Sequence, residues 1–130
     1  MYEAGTAAEV RSFHVMPGMP PPEGERHSHD YRLEVVASRD DLDERGMVVD
    51  LDVLDRALRG LVDLLRDADL DQVVGPETGA EAVTVEVFAG WVHRRLAEAI
   101  GPVRGTELSV RVWESPVAFG GYRAPTDGRG

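Results

Sequence analysis

Three of the four histidines in this chain are spaced like the ligands of a metal ion. His27 and His29 lie two residues apart in a segment where apolar and polar residues alternate. On a β-strand two such side chains leave the same face, with their Cα atoms about 6 to 7 Å apart. His14 precedes them, across a proline-rich stretch, at the end of a second predicted strand. Three imidazoles that leave a fourth position open form the ligand set of catalytic zinc sites, so the sequence predicts Zn²⁺ at His14, His27 and His29.

The spacing also has a simpler interpretation, in which His27 and His29 are two solvent-facing imidazoles. His93 lies on a predicted helix without a partner at ligand spacing, and we expect it to be a structural histidine. Glu114 follows an alternating segment and precedes Ser115 and Pro116, which places its carboxylate at a strand end. There it could accept two parallel hydrogen bonds from an amidine-like edge, such as that of a pterin ring. An exposed charge that closes the strand is the alternative.

The residue types that are missing limit the remaining chemistry. The 130 residues include no Cys, Lys or Asn, and the formal net charge is −10. A thiolate nucleophile, a disulfide and a lysine Schiff base are thereby excluded, and acid–base chemistry falls to His, carboxylates, Tyr, hydroxyls or a metal-bound water. The negative charge argues against a nucleic-acid or membrane-surface partner. No segment has the pattern of a signal peptide or a membrane span, so we expect a soluble cytoplasmic protein.

The elements that must position these residues follow from hydrophobic periodicity. Strands are predicted for residues 8–14, 27–38, 46–50 and 108–113, with a loop over residues 16–24. Leu54, Leu58, Leu61, Leu65 and Ala68 recur at helical spacing after a cap at Asp50 or Asp52. Residues 75–81 are predicted to be a loop. A second helix is predicted to begin near Thr84, to run through Leu96 and to stop at Gly101 and Pro102.

This order of elements predicts a single α+β domain over residues 1–130, with a disordered tail after Tyr122. The sheet is expected to be antiparallel, with two helices on one face. The other face must then meet water or a partner, and oligomerisation is the natural way to enclose ligands that it carries.

Five motifs in this order resemble the family of 6-pyruvoyltetrahydropterin and 6-carboxytetrahydropterin synthases, from about Val10 to Tyr122. His14 matches the family's first zinc histidine, and His27-Ser28-His29 matches its His-Gly-His pair. Residues 46–51 match its Gly-Met-Val-x-Asp-Phe segment. Residues 83–86 resemble the Pro-Thr-x-Glu that opens the second helix, and residues 112–115 resemble the strand end whose Glu anchors the pterin. The resemblance implies substrate-binding roles for Glu114, Thr84 and Glu86.

The departures from the family pattern fall on its catalytic groups. Family members use a Cys a few residues before His-x-His, and here Glu23 occupies that position approximately. The Asp-His pair of their Leu-Asp-His motif is Asp71-Gln72 here, and Gln cannot shuttle a proton at neutral pH. Glu23, Glu25 and Asp71 are the candidates left for proton transfer. Losing both members of a set that works as a unit costs orders of magnitude in rate, so we expect the standard synthase reaction to be very slow or absent.

The resemblance implies the T-fold, a four-stranded antiparallel sheet with two helices on one face, whose trimers close their sheets into a barrel. Two trimers stack into a homohexamer with sites between subunits. Three hypotheses for function stay open: a zinc-dependent lyase acting on a pterin-like molecule, a non-catalytic module that binds zinc and a pterin, and an oligomer in which zinc is only structural.

Overall fold

A four-stranded antiparallel sheet in the order β1-β2-β3-β4 forms the centre of the molecule. The computed structural model describes residues 1–127. The strands are β1 (Tyr2–His14), β2 (His27–Arg39), β3 (Glu107–Ser115) and β4 (Ala118–Pro125). Strands β1 and β2 form one antiparallel hairpin, and β3 and β4 form another. The long connection between β2 and β3 contains all the helices of the described chain.

Two long helices, α1 (Leu51–Leu65) and α4 (Val85–Ile100), flank two short ones, α2 (Leu70–Val73) and α3 (Gly75–Thr78). Asp50 caps α1 by accepting hydrogen bonds from the N–H groups of Asp52 and Val53, as the sequence predicts for this position. Helix α4 ends at Ile100 and is capped by Gly101, whose φ of 78° suits glycine. Helix α1 packs mainly on β1, and α4 on β3 and β4.

The core lies between the helices and one face of the sheet. Alternate residues of β2 and β3 are buried there, and the apolar stripes of α1 and α4 cover them. The main contributors are Tyr31, Leu33, Val35, Leu54, Leu58, Phe88, Trp91, Leu108, Val110 and Val112. The α+β architecture with helices on one face of an antiparallel sheet is therefore confirmed.

One predicted strand is wrong, and one strand was not predicted. Residues 46–50 form turns and bends instead of a strand, because the Asp43 carboxylate accepts hydrogen bonds from the N–H groups of Arg45 and Met47 and folds the segment on itself. The fourth strand is β4, which hydrophobic periodicity did not predict and which pairs with β3. Residues 108–113, the last strand predicted along the chain, lie within β3 and are followed by this fourth strand.

Other boundaries also shift. Strand β1 begins at Tyr2, six residues before the predicted start, and pairs with β2 along its whole length. The predicted loop over residues 75–81 contains α3. The tail expected to be disordered after Tyr122 continues as β4 to Pro125, and Thr126 is buried with its hydroxyl bonded to Val103. Residues 128–130 of that tail lie outside the described residues. Within residues 1–127, no helix has the length and hydrophobicity needed to cross a bilayer.

Candidate metal centre

The pairing of β1 with β2 brings three histidines together at one end of the sheet. His14 is the last residue of β1 and lies opposite His27, the first residue of β2. His29 is two residues further along β2 and therefore leaves the same face. The ring centroid of His14 lies 4.4 Å from that of His27 and 5.3 Å from that of His29, and the His27 and His29 centroids are 5.0 Å apart.

Backbone carbonyls orient two of these rings. The Nδ1 of His14 lies 3.0 Å from the carbonyl oxygen of Val83, and the Nδ1 of His27 lies 2.8 Å from that of Glu25. A carbonyl only accepts, so each Nδ1 donates, and in the neutral ring Nε2 then presents the lone pair. The Nε2 of His14 is buried and has no hydrogen-bond partner in the described structure. Such carbonyl contacts commonly fix the tautomer of histidines that bind a metal.

The three side chains fit a metal ion in donor type and spacing. One ring nitrogen from each lies within 4.8 Å of the other two. Zn–N bonds of about 2.0 to 2.1 Å place the nitrogens of a tetrahedral site roughly 3.4 Å apart, which small side-chain rotations would reach from here. Burial lowers the pKa of His29, and the neighbouring His14 and His27 lower it further, so this imidazole favours its neutral form. Neutral imidazole is the form that ligates a metal.

Tyr31 forms the floor beneath the histidines. Its ring makes edge contacts with His14, His29 and Phe88, at centroid distances of 6.3, 5.4 and 5.2 Å. Burial raises the pKa of Tyr31, and the charges of Glu114 and Asp71 raise it further, so the phenol stays protonated. Through Tyr31, the histidine site is in direct packing contact with the apolar core.

A cleft of about 730 Å³ connects the histidine site with Glu114. His29 and Glu114 both line it, and the charge of Glu114 also acts on the pKa values of His29 and Tyr31. Glu114 is half-buried near the end of β3, at the strand end where its position in the sequence predicts it. The remaining lining is mostly polar: Glu9, Ser28, Asp30, Arg32, Glu34, Trp113, Ser115 and Pro116.

Of the three residues predicted for proton transfer, Glu25 is exposed just before β2, and Asp71 and Glu23 lie near the site in different surroundings. Asp71 is half-buried at the start of α2, and its Oδ2 accepts a hydrogen bond of 2.9 Å from the N–H of Val15. Gln72, which follows it, is exposed. Glu23 is exposed in the loop between β1 and β2, close enough for its charge to act on the pKa of His29.

Thr84 and Glu86 lie at the start of α4, away from this cleft. The Thr84 hydroxyl caps the helix by accepting from the N–H of Val87 at 3.1 Å. Glu86 is exposed and lines a separate depression beside Trp91 and Tyr122. Within one chain, the structure therefore does not bring these two residues to Glu114.

Two contributors to the site were not predicted from the sequence. The carbonyl of Val83 fixes His14, although Val83 was noted only as part of a helix-opening motif. Tyr31 lies on the same face of β2 as His27 and His29, and the alternation of residues along the strand could have indicated that it lies next to them. A carbonyl 69 residues away leaves no such signal, since it depends on how α4 packs against the sheet.

Comparison with known proteins defines the class to which this fold and site belong. The chain has the T-fold of 6-pyruvoyl tetrahydropterin synthase structures. Residues 6–125 match the sequence family described as 6-pyruvoyl tetrahydropterin synthase, and the chain belongs to that family. A search of curated protein sequences finds no match.

Solved structures agree with this assignment at low sequence identity. The 6-pyruvoyl tetrahydropterin synthase of Caenorhabditis elegans is 17% identical with a TM-score of 0.73, and the match covers 95% of each chain. The enzyme from Plasmodium vivax, in a form whose catalytic glutamate is replaced by alanine, is 14% identical with a TM-score of 0.71, over 96% of this chain and 99% of that one. An uncharacterized protein of Wolinella succinogenes is 18% identical with a TM-score of 0.68, over 95% and 97%.

Proposed function

We propose that this protein binds Zn²⁺ through His14, His27 and His29 and takes a pterin-like ring at Glu114. The observation that carries the proposal is the group of three imidazole nitrogens within 4.8 Å of one another, with the Nδ1 atoms of His14 and His27 engaged by carbonyls. This arrangement leaves the Nε2 lone pairs for a cation.

The residues that line the cleft favour binding of a planar heterocycle next to the metal. Glu114 is an anionic acceptor that can pair with two N–H groups on one ring edge. His29 lines the same cleft, so a ring held by Glu114 would extend its substituent toward the three histidines. Membership of the 6-pyruvoyl tetrahydropterin synthase family makes a pterin the first ligand to consider.

The bound zinc would supply a Lewis acid that polarises oxygens of the ligand's side chain. Proton transfer would fall to Glu23 and Asp71. The Asp71 carboxylate is engaged through Oδ2 by the N–H of Val15, whereas Glu23 is exposed and can approach a ligand. A glutamate is the catalytic residue replaced in the P. vivax structure, which gives a precedent for a carboxylate in this family.

We expect standard synthase activity to be weak or absent. The chain has no Cys, and Gln72 stands in place of the family's histidine and is exposed. A non-catalytic module that binds zinc and a pterin is therefore the second candidate. The observation that favours it is the engagement of the Asp71 carboxylate by the backbone at Val15, which suits a structural role.

Metal analysis and calorimetry test the proposal. The purified wild type should hold one Zn²⁺ per chain and bind a reduced pterin with a hydroxyalkyl side chain. Glu114→Gln removes the anionic acceptor and should weaken pterin binding at least tenfold, about 1.4 kcal/mol, with zinc content unchanged. Glu98→Gln, at an exposed position on α4, is the matched control and should bind like the wild type.

Long incubation of the pterin with the zinc-loaded protein separates the two candidates. A chromatographically new product, absent with Glu23→Gln, indicates an enzyme. Binding without product indicates the non-catalytic module. If the wild type binds zinc but no pterin, and metal removal only lowers thermal stability, zinc is structural and the ligand proposal fails.

A further inference from the structure

The segment from Asp67 to Asp71 runs alongside the end of β1 and holds it on both sides of His14. The N–H of Asp67 donates to the carbonyl of Arg11 at 2.8 Å, and the N–H of Phe13 donates to the carbonyl of Ala68 at 2.9 Å. Beyond His14, the N–H of Val15 donates to the Asp71 carboxylate. Phe13 and Asp69 form a short parallel bridge within this contact. One predicted metal ligand is thus fixed from outside the sheet.

The start of β2 has a different attachment to the same segment, through Arg26. Its Nε donates to the Asp69 carboxylate at 2.6 Å, and its guanidinium lies over the ring of Phe13 at 3.8 Å from the centroid. Arg26 immediately precedes His27, and Phe13 immediately precedes His14. Arg26, next to His27, therefore contacts Phe13, next to His14. Its guanidinium both pairs with a carboxylate through its charge and stacks on the aromatic ring through its planar face.

This link lies where the hairpin has least support of its own. His14 and His27 form the last pair of the β1–β2 register, and residues 15–26 connect them. A connection of this length does not impose a fixed spacing on the strand ends, as a two-residue turn would. One backbone hydrogen bond, from the N–H of Met16 to the carbonyl of Glu23 at 2.8 Å, continues the pairing beyond His14 and His27. Side-chain contacts at this end of the hairpin add to it in setting the distance between the two imidazoles.

We infer that Arg26 is a positioning residue of the histidine site: by pairing with Asp69 and stacking on Phe13, it holds His27 at ligating distance from His14. The inference rests on the proposed metal site. An exposed ion pair alone contributes little to folding stability, so the effect of Arg26 should appear in metal binding. Groups just outside the ligand shell typically change metal affinity by 10- to 100-fold.

The test measures Zn²⁺ affinity by competition with a chelator, and the absorption spectrum of the Co²⁺ form, in Arg26→Met. This change keeps an unbranched apolar stem and removes the charge and the planar group. We expect Zn²⁺ affinity to fall about tenfold and the Co²⁺ bands to shift. Arg26→Lys keeps a cation for Asp69 and should recover part of the affinity.

Arg59→Met is the matched control, because Arg59 also pairs with an aspartate through Nε and is comparably exposed, but on α1. Its Zn²⁺ affinity should stay within about twofold of wild type, since the contacts of this pair in the described structure, between Arg59 and Asp55 and between Asp55 and Thr6, do not involve the histidines. Equal affinities of Arg26→Met and the wild type, or an equal loss in Arg59→Met, would overturn the inference while the metal site stands. A wild type that takes up no stoichiometric metal would instead overturn the proposed function together with this inference.

Discussion

Two buried histidines of this chain show how environment separates a candidate ligand from a structural residue. Each has one ring nitrogen 3.0 Å from a backbone carbonyl, Val83 for His14 and Ala124 for His93. The second nitrogen of His14 is buried without a partner in the described structure and faces two further imidazoles, whereas His93 packs its ring against Tyr122. Burial is nearly the same, so the difference lies in what surrounds the second nitrogen.

This contrast gives a paired prediction. His14→Ala removes one of three ligands and should lower Zn²⁺ binding below one equivalent per chain. His93→Ala should retain one Zn²⁺ and lose only folding stability, about 0.5 to 1.5 kcal/mol for the part-buried hydrogen bond to the Ala124 carbonyl. Elemental analysis after dialysis measures the first effect and denaturant unfolding the second. Full zinc occupancy in His14→Ala would remove that residue from the ligand set.

At the scale of elements, the position of α4 depends on its close approach to β4. A Cβ added to Gly120 would lie 2.6 Å from Cγ2 of Val85 and 2.9 Å from the N–H nitrogen of Glu86. Only glycine permits this approach without a shift of the helix start. That helix start matters for the site, because Val83, two residues before α4, holds His14.

Gly120→Ala should therefore destabilise the protein by about 1 to 3 kcal/mol, since the added methyl meets backbone that must move. Gly60→Ala provides a control of opposite sign. Gly60 lies in the exposed interior of α1, where an added Cβ would have no neighbour within 4 Å, and alanine there should stabilise by about 0.5 to 1 kcal/mol. Urea unfolding of both variants measures the two shifts, and an unchanged midpoint for Gly120→Ala would show that the helix start yields freely.

The same glycines explain which elements could be predicted from the sequence. Strand β2 was predicted to within one residue, because its alternation is regular and one face is buried from Tyr31 to Ala37. Strand β4 contains Gly120, Gly121 and Pro125, which are poor strand formers in isolation, and their fit depends on neighbours distant in sequence. The opposite error arose at residues 46–50, whose apolar residues suggest a strand while the Asp43 side chain folds a turn.

For the candidate site, local spacing was sufficient to group the three histidines, since two share a strand face and the third ends the neighbouring strand. Glu114 was placed by the end of its alternating strand. The contacts that orient these groups were not predictable, because the Val83 carbonyl and the Asp69 carboxylate reach the site only through the packing of the long β2–β3 connection.

At the scale of the whole molecule, the sheet has one face without helices and two edge strands. Strand β1 and strand β4 each pair on one side only, apart from the bridge at Phe13, within the described residues. Val117, which precedes β4, is 88% exposed, and Phe119 and Tyr122 within β4 are 46 and 48% exposed. Unpaired edges with apolar side chains favour association with further strands. Edge pairing between copies would cover them, as expected for a barrel of three chains.

We therefore expect sedimentation velocity to show the mass of three or six chains at micromolar concentration. The three histidines belong to one chain, so Zn²⁺ binding should persist when the oligomer is diluted to monomers. Pterin binding should weaken on dilution if a neighbouring chain completes the open cleft at Glu114. A monomer at all concentrations with undiminished pterin affinity would instead mean that one chain supplies the whole pocket and that β4 keeps an exposed edge.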